Sequence, residues 1–367
     1  MKTVLVAFGT RPEAIKMCEL IGELRKKSVF DVKILVTGQH RGMLKRALAD
    51  CGLTPDYDLE IMKIGQTLSY ITAAALMGAD RVISELLPDI VLVHGDTSSA
   101  FAVALAAFYR GVEVGHIEAG LRTHDIRTPF PEEFNRKAIS LVADYHFAPS
   151  DSARMNLLSE GVPEENIFVT GNTVIDALLK NIRKDYSSPY TDLAAGKSLV
   201  ILTAHRRENL CDLESVFRAV RRAATEYPDI RVIYPVHKNE KILFLAKKVF
   251  SGASGVYLCE PLSAFDFHNL LNIADLILTD SGGVHEEAFY LGKPTLILRK
   301  STERKELLSK QCIKLVGTDE NAVFCAIKEM LDKRDGFFAK LENNHILGNG
   351  NASRIIADIL EKEIGFE

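Results

Sequence analysis

What the 367-residue chain lacks narrows its function before anything it contains. No stretch approaches the ~18–20 consecutive apolar residues that cross a bilayer, so no membrane span is expected. Neither sign of charge prevails: 45 basic against 49 acidic side chains leave a formal net charge of −4. A nucleic acid is therefore disfavoured as main partner, because it would call for a basic face. The six cysteines (Cys18, Cys51, Cys211, Cys259, Cys312 and Cys325) form no C-x-x-C pair. In a chain of this size they read as buried thiols of a reducing compartment, with the cytoplasm as the expected location. The opening "MKTVLVAFGTRPEAIKM" is too briefly apolar for a secretion signal and breaks at Gly9 and Arg11 without a cleavage site. Neither G-x-G-x-x-G nor a Walker A loop occurs, which leaves the usual dinucleotide and P-loop readings unsupported. No zinc-protease signature is present, since "HEEAF" (285–289) has Phe289 where H-E-x-x-H needs its second histidine.

What is present is a globular balance, 47% apolar and 26% charged, in a chain long enough for two domains. Short Val-, Ile- and Leu-rich runs alternate with helical patterns throughout. The first half carries them at 3–8, 32–38, 89–96, 112–120, 145–150 and 167–172. The second half carries them at 198–205, 231–237, 255–261, 274–283, 294–300 and 313–319. Continuous apolar strands separated by helices predict parallel sheets covered on both faces, here two doubly wound α/β domains in succession. The polar, turn-rich "KDYSSPYTDLAAGK" (184–197) is the best linker candidate. The expected division is 1–172 and 173–351, with the amphipathic segment 352–367 packing back on the first domain.

Parallel α/β sheets bind ligands beyond the carboxyl ends of their strands. Here those ends are polar: Gly9-Thr10-Arg11, Gly38-Gln39-His40, His94-Gly95-Asp96 and His116-Ile117-Glu118 in the first half. The second half adds His205-Arg206-Arg207, His237-Lys238 and Asp280-Ser281-Gly282-Gly283. Any one of these could be a solvated loop. Seven at the same end of two sheets point to a site in the cleft between domains.

Each motif has a plainer alternative. "TDSGGVHEEA" (279–288) runs through two glycines into a helix whose free N–H groups suit a phosphate, though Ser281 could equally be an ordinary N-cap. Glu286 and Glu287 differ by ~100° around a helix, so at most one faces a ligand well. In "GTRPEAIK" (9–16), Pro12 suits an early helical position, and Arg11 at the helix entry opposes the dipole unless an anion binds nearby. His205 in "TAHRREN" (203–209) is a candidate acid, base or phosphate ligand, or a structural histidine. The stretch 116–136 packs three glutamates, three arginines, two histidines and an aspartate around Pro-Phe-Pro. Such an irregular segment is usually disordered or functional, and its prolines and apolar anchors argue against disorder. Asp96, Glu118 and the Glu132–Glu133 pair bring carboxylates from three segments. In a partly dry cleft they could divide into acid and base, while one of Glu132 and Glu133 reads as surface charge.

Taken together, "FGTRPEAIKM", "VLVHGDTSSAFAVALAAFY", "VGHIEAGLRT", "PFPEEFNR", "VTGNTVIDALL", "TAHRREN", "YPVH", "LILTDSGGVHEEA" and "LVGTD" closely resemble the non-hydrolysing UDP-N-acetylglucosamine 2-epimerases. The resemblance is collinear and spans nearly the whole chain. It implies two Rossmann-like doubly wound parallel-sheet domains of the glycosyltransferase-B type, with the nucleotide sugar in the cleft between them. It also implies interconversion of UDP-GlcNAc and UDP-ManNAc without metal or redox cofactor. The mechanism it implies eliminates UDP across C1–C2 to a 2-acetamidoglucal and re-adds it after protonation on the other face. ManNAc units so made would feed cell-surface polysaccharides.

By the same resemblance Asp96, Glu118 and Glu132 match catalytic carboxylates and His205 a catalytic histidine. Arg11, Lys16 and Arg136 match cations of the site, Ser281, Gly282 and Gly283 the diphosphate turn, and Glu287 the residue on the ribose. A homodimer is implied, as is a second UDP-GlcNAc acting as allosteric activator, for which Gln39, His40 and His237 are the candidates. The chain departs from the family pattern at His285, usually Gln, at Lys305, usually Pro, and at Lys63–Ile64. A hydrolysing relative, a catalytically silent UDP-sugar binder and a glycosyltransferase on the same fold remain the alternatives.

Overall fold

Strands whose two faces are both covered by helices must be apolar throughout, and such runs build two all-parallel sheets. The computed structural model describes residues 1–38, 41–63, 65–206, 210–309, 312–332 and 345–365. The first sheet comprises β1 (Lys2–Phe8), β2 (Phe30–Val36), β3 (Tyr57–Asp58), β4 (Ile90–His94), β5 (Glu113–Ile117), β6 (Tyr145–Ala148) and β7 (Ile167–Val169). The second comprises β8 (Ser198–Thr203), β9 (Ile230–Pro235), β10 (Val256–Cys259), β11 (Leu276–Thr279), β12 (Thr295–Ile297) and β13 (Ile313–Leu315). Their orders are β3-β2-β1-β4-β5-β6-β7 and β10-β9-β8-β11-β12-β13. Both are doubly wound, Rossmann-like α/β sheets, and the winding reverses between β1 and β4 and again between β8 and β11. β3 was not foreseeable, since two residues carry no period. They are held by register alone, Leu35 against Tyr57 and Val36 against Asp58.

The chain divides into two compact units, Met1–Leu179 with Ile346–Glu367, and Lys180–His345. The segment read as a linker, 184–197, holds the short helix Pro189–Leu193. In the first unit, Val4, Val6, Phe8, Ile34 and Leu92 meet the helix Arg11–Lys26 on one face of the sheet, and Leu5, Ala7, Val91 and Val93 meet three other helices on the opposite face. The second sheet is likewise sandwiched.

The last helix, Ala352–Ile364, buries Ile356, Ala357, Leu360 and Ile364 in the first unit's core. Its start is held by Asp176, whose carboxylate accepts the N–H groups of Ala352 at 3.2 Å and Ser353 at 2.7 Å. Near its end Lys27 donates to Asp358 and Glu361 at 2.5 and 2.7 Å. Just before it, Gly348 passes Gly171 so closely that a Cβ on Gly171 would lie 2.9 Å from the Cα of Gly348. Among the described residues no helix is long and apolar enough to cross a membrane.

Candidate active site

Polar groups gather beyond the carboxyl ends of the strands in each unit. In the first, Glu118 follows β5 directly and adopts φ +65, a left-handed backbone that non-glycine residues rarely take. One carboxylate oxygen of this buried side chain receives both the Lys16 ammonium and the Asn172 amide, the latter at 3.0 Å. His94 Nε2 lies 3.7 Å from the same oxygen. Lys16 comes from the helix Arg11–Lys26, Asn172 from the end of β7 and His94 from the end of β4. Three segments distant in sequence thus converge on one carboxylate.

Asp96 forms the second centre. Arg136 donates to its carboxylate with one guanidinium nitrogen and to Glu133 with another, at 3.0 Å for the latter. The Asn135 amide donates to the Asp96 carbonyl at 2.8 Å. The turn bearing Asp96 is pinned by His116, whose Nε2 donates to the Gly95 carbonyl at 2.8 Å. Burial pushes the His116 pKa down to about 3, so the ring is neutral and, facing a carbonyl, carries its proton on Nε2.

Glu132 and Glu133 open the helix Glu132–Val142 and take different parts. Glu133 is fully buried and accepts the backbone N–H groups of Thr123 and His124, both at 3.0 Å, clasping the irregular loop to the helix. Glu132 is half-buried. Of the pair, Glu133 is therefore not surface charge, because the loop's own N–H groups need a buried acceptor.

Arg11 begins its helix half-buried, and that burial lowers its pKa despite the opposing pull of Asp50. Its misfit with the dipole is partly answered inside the same turn by Glu13. Glu13 Oε2 accepts from Gly9 N–H at 3.1 Å and from Thr10 N–H and hydroxyl at 2.7 Å each; its other oxygen accepts the Thr97 hydroxyl at 2.8 Å. Burial raises the Glu13 pKa and these hydrogen bonds oppose the rise. This one carboxylate ties the loop after β1 to the loop after β4, the two strands at the reversal point.

In the second unit His205 follows β8 with its side chain 41% exposed. Its ring stacks on His237, centroids 5.5 Å apart and planes 12° from parallel. Ser281 is the N-cap of the helix Gly282–Tyr290, yet its side chain makes no cap hydrogen bond, so the plain capping alternative lacks its defining contact. The two glycines serve different ends. A Cβ on Gly282 would lie 2.5 Å from an Arg304 nitrogen, whereas one on Gly283 meets nothing within 4 Å. Only Gly283 leaves open space for a ligand at the helix start.

Behind this turn Arg304 pairs with Glu286 and Glu303, and Glu303 with Arg299 at 3.1 Å. Glu286 is wholly enclosed, while Glu287 lies 3.4 Å from His268 Nε2. His285, buried beside this network, has its pKa pushed down to about 3, first by desolvation and then by Arg304. Gln39 and His40 lie outside the described residues, as do Arg207 and Ile64.

Sequence reasoning missed Asn172, Glu13 and Arg304. Asn172 was within reach, because the strand-end rule that singled out Glu118 applies equally to "IFVTGN". Glu13 resembles any first-turn acid. Arg304 lies in a loop with no period to mark it.

Comparison with known proteins adds independent support. Residues 22–361 match the model of the UDP-N-acetylglucosamine 2-epimerase family. The Bacillus subtilis UDP-N-acetylglucosamine 2-epimerase is 47% identical over 364 residues, covering 99% of this chain and 96% of its own. The Escherichia coli K12 enzyme of the same name is 42% identical, covering 98% of each. Among solved structures, UDP-GlcNAc 2-epimerase from Neisseria meningitidis bound to UDP-GlcNAc superposes with a TM-score of 0.92 at 39% identity, covering 98% of this chain and 100% of that one. A putative enzyme of the same name from Listeria monocytogenes gives 0.94 at 42% identity, covering 100% and 98%. With its carboxylates and cations gathered at the strand ends of two Rossmann-like units, this chain belongs to the UDP-N-acetylglucosamine 2-epimerase family.

Proposed function

We propose that the protein interconverts UDP-GlcNAc and UDP-ManNAc by eliminating UDP to a 2-acetamidoglucal and adding it back. The observation that carries this reading is Glu118, held by Lys16 and Asn172 in a left-handed backbone conformation. The C2 proton of a sugar is weakly acidic, so its removal needs a carboxylate in fixed orientation and assistance from the departing diphosphate. Asp96, Glu118 and Glu132 are the candidates to take that proton and return one on the other face. Arg11, Lys16 and Arg136 lower the cost of gathering negative charge. The N–H groups of Gly282 and Gly283 with the Ser281 hydroxyl suit the diphosphate, Glu287 the ribose hydroxyls, and His205 the leaving group's charge or proton. No step calls on a cofactor.

Incubation with UDP-GlcNAc in deuterium oxide tests this. Deuterium should enter C2 and UDP-ManNAc should accumulate without free UDP. Free UDP and ManNAc in stoichiometric amounts would identify the hydrolysing alternative. Calorimetric binding without exchange would identify a silent binder.

A homodimer is supported by apolar side chains left exposed on mutually packed helices: Met77, Tyr109 and Leu141 are 70%, 67% and 84% exposed. Light scattering should give twice the 40.7 kDa chain mass. Activation by a second UDP-GlcNAc through Gln39, His40 and His237 predicts a sigmoidal dependence of rate on UDP-GlcNAc. A cytoplasmic location suits six cysteines that form no disulfide. Supply of ManNAc units to surface polysaccharide follows from the product's identity.

A further inference from the structure

His205 follows β8 and Asp280 follows β11, the two strands that flank the reversal point of the second sheet. The Asp280 side chain is fully buried. Its Oδ2 accepts the backbone N–H groups of His205 and Arg206, both at 2.8 Å, and its Oδ1 lies 3.6 Å from His205 Nδ1. From β9 the buried Tyr234 hydroxyl donates to the Ala204 carbonyl at 2.8 Å, steadying the same loop one residue earlier. The His237 ring lies against the His205 ring, and its Nδ1 accepts the Asn239 N–H at 3.1 Å, which puts the His237 proton on Nε2. Among the described residues, the titratable groups facing the His205 ring are Asp280 at its Nδ1 edge and His237 on its face, with Arg206 next in the chain.

An ionised carboxylate can only accept, so a neutral imidazole beside it carries its proton on the nitrogen that faces it. We infer that Asp280 is the positioning residue for His205: it holds the Nδ1 proton and leaves the lone pair on Nε2 for the nucleotide sugar. This rests on the proposed catalytic part of His205. The same carboxylate also immediately precedes Ser281, Gly282 and Gly283. One buried group thereby sets both the ring and the start of the helix whose N–H groups suit the diphosphate. At 3.6 Å the pair is longer than a hydrogen bond. Contacts of this kind commonly shorten only when ligand is bound, so the test includes that state.

The first measurement is the tautomer of His205 in the parent protein at pH 8, free and saturated with UDP. Long-range proton–nitrogen spectra of labelled protein report it, with His205→Asn supplying the assignment. An Nδ1–H tautomer with UDP bound is expected. An Nε2–H tautomer, or a ring protonated on both nitrogens, overturns the inference.

The second measurement is the kinetics of Asp280→Asn, which keeps an oxygen for the two backbone N–H groups and removes the charge. We expect kcat to fall roughly 100-fold with KM within about threefold. A kcat within about threefold of the parent overturns the inference. Should the variant fail to fold, the tautomer in the parent decides alone. Normal turnover in His205→Asn would sink the catalytic part of His205 itself. A dead His205→Asn beside a normal Asp280→Asn would sink only the pairing.

Discussion

The two units share a winding rule but fill their strand ends with opposite chemistry. The first places carboxylates there and gives the two central ones a cation each, Lys16 on Glu118 and Arg136 on Asp96. The second places backbone N–H groups and an exposed histidine in front, and buries its charges behind as the Arg299–Glu303–Arg304–Glu286 chain. A parallel sheet offers any ligand the same edge; what it does there depends on whether that edge presents acceptors or donors. Proton transfer suits the first arrangement and anion binding the second.

Replacing carboxylates breaks the comparison most severely. Glu118→Gln and Glu132→Gln should each lower turnover at least ~100-fold in the deuterium assay, with the unfolding transition little changed. Near-normal rates in both would return the loop 118–131 to a structural role. Removing a support should cost less: Asn172→Ala takes the amide from Glu118 and keeps the lysine, and kcat should fall about tenfold with KM little altered.

The second unit's glycines sharpen the contrast. Gly283→Ala should weaken UDP binding about tenfold by calorimetry while leaving thermal stability intact, because its Cβ enters open space. Gly282→Ala should instead lower the melting temperature, since its Cβ meets the Arg304 guanidinium. Equal behaviour of the two would refute their division of labour.

The smallest effect is an acid one. His116, His146 and His285 are held neutral by burial, with pKa values pushed down to about 3, about 4 and about 3. Folded values below the unfolded value of 6.5 mean that their contribution is complete above pH 6.5 and is lost as pH falls toward 3–4. His285→Gln should relieve the second unit's share, by up to about 1.4 kcal/mol for each pH unit below 6.5 and nothing at pH 8. Urea unfolding at pH 8 and pH 5 would read it.

Both sheets were legible because strands buried on two faces must be apolar along their whole length, as in "TVLVAF" and "SLVILT". Glu118, Asp96, His205 and the 281–283 turn were legible for a related reason: polar residues that end apolar runs have few other uses. β3 escaped because its pairing is imposed by β2 rather than by its own pattern. Glu132 and Glu133 could not be told apart, since adjacent residues of one type at a helix start have identical local signals. The deciding facts are the N–H groups of Thr123 and His124, nine or ten residues away.

The sequence by itself determined the alternation of strand and helix, the two doubly wound units and the end of each sheet at which chemistry collects. These depend on local periodicity and on how β-α units wind. The tertiary structure decided who partners whom. Asn172 and Lys16 meet on Glu118 because β5, β7 and the helix after β1 bring their residues to the same edge of the first sheet, and Asp280 meets the loop of His205 because β8 and β11 end side by side. A contact between residues 54 or 102 positions apart leaves no trace in any local pattern.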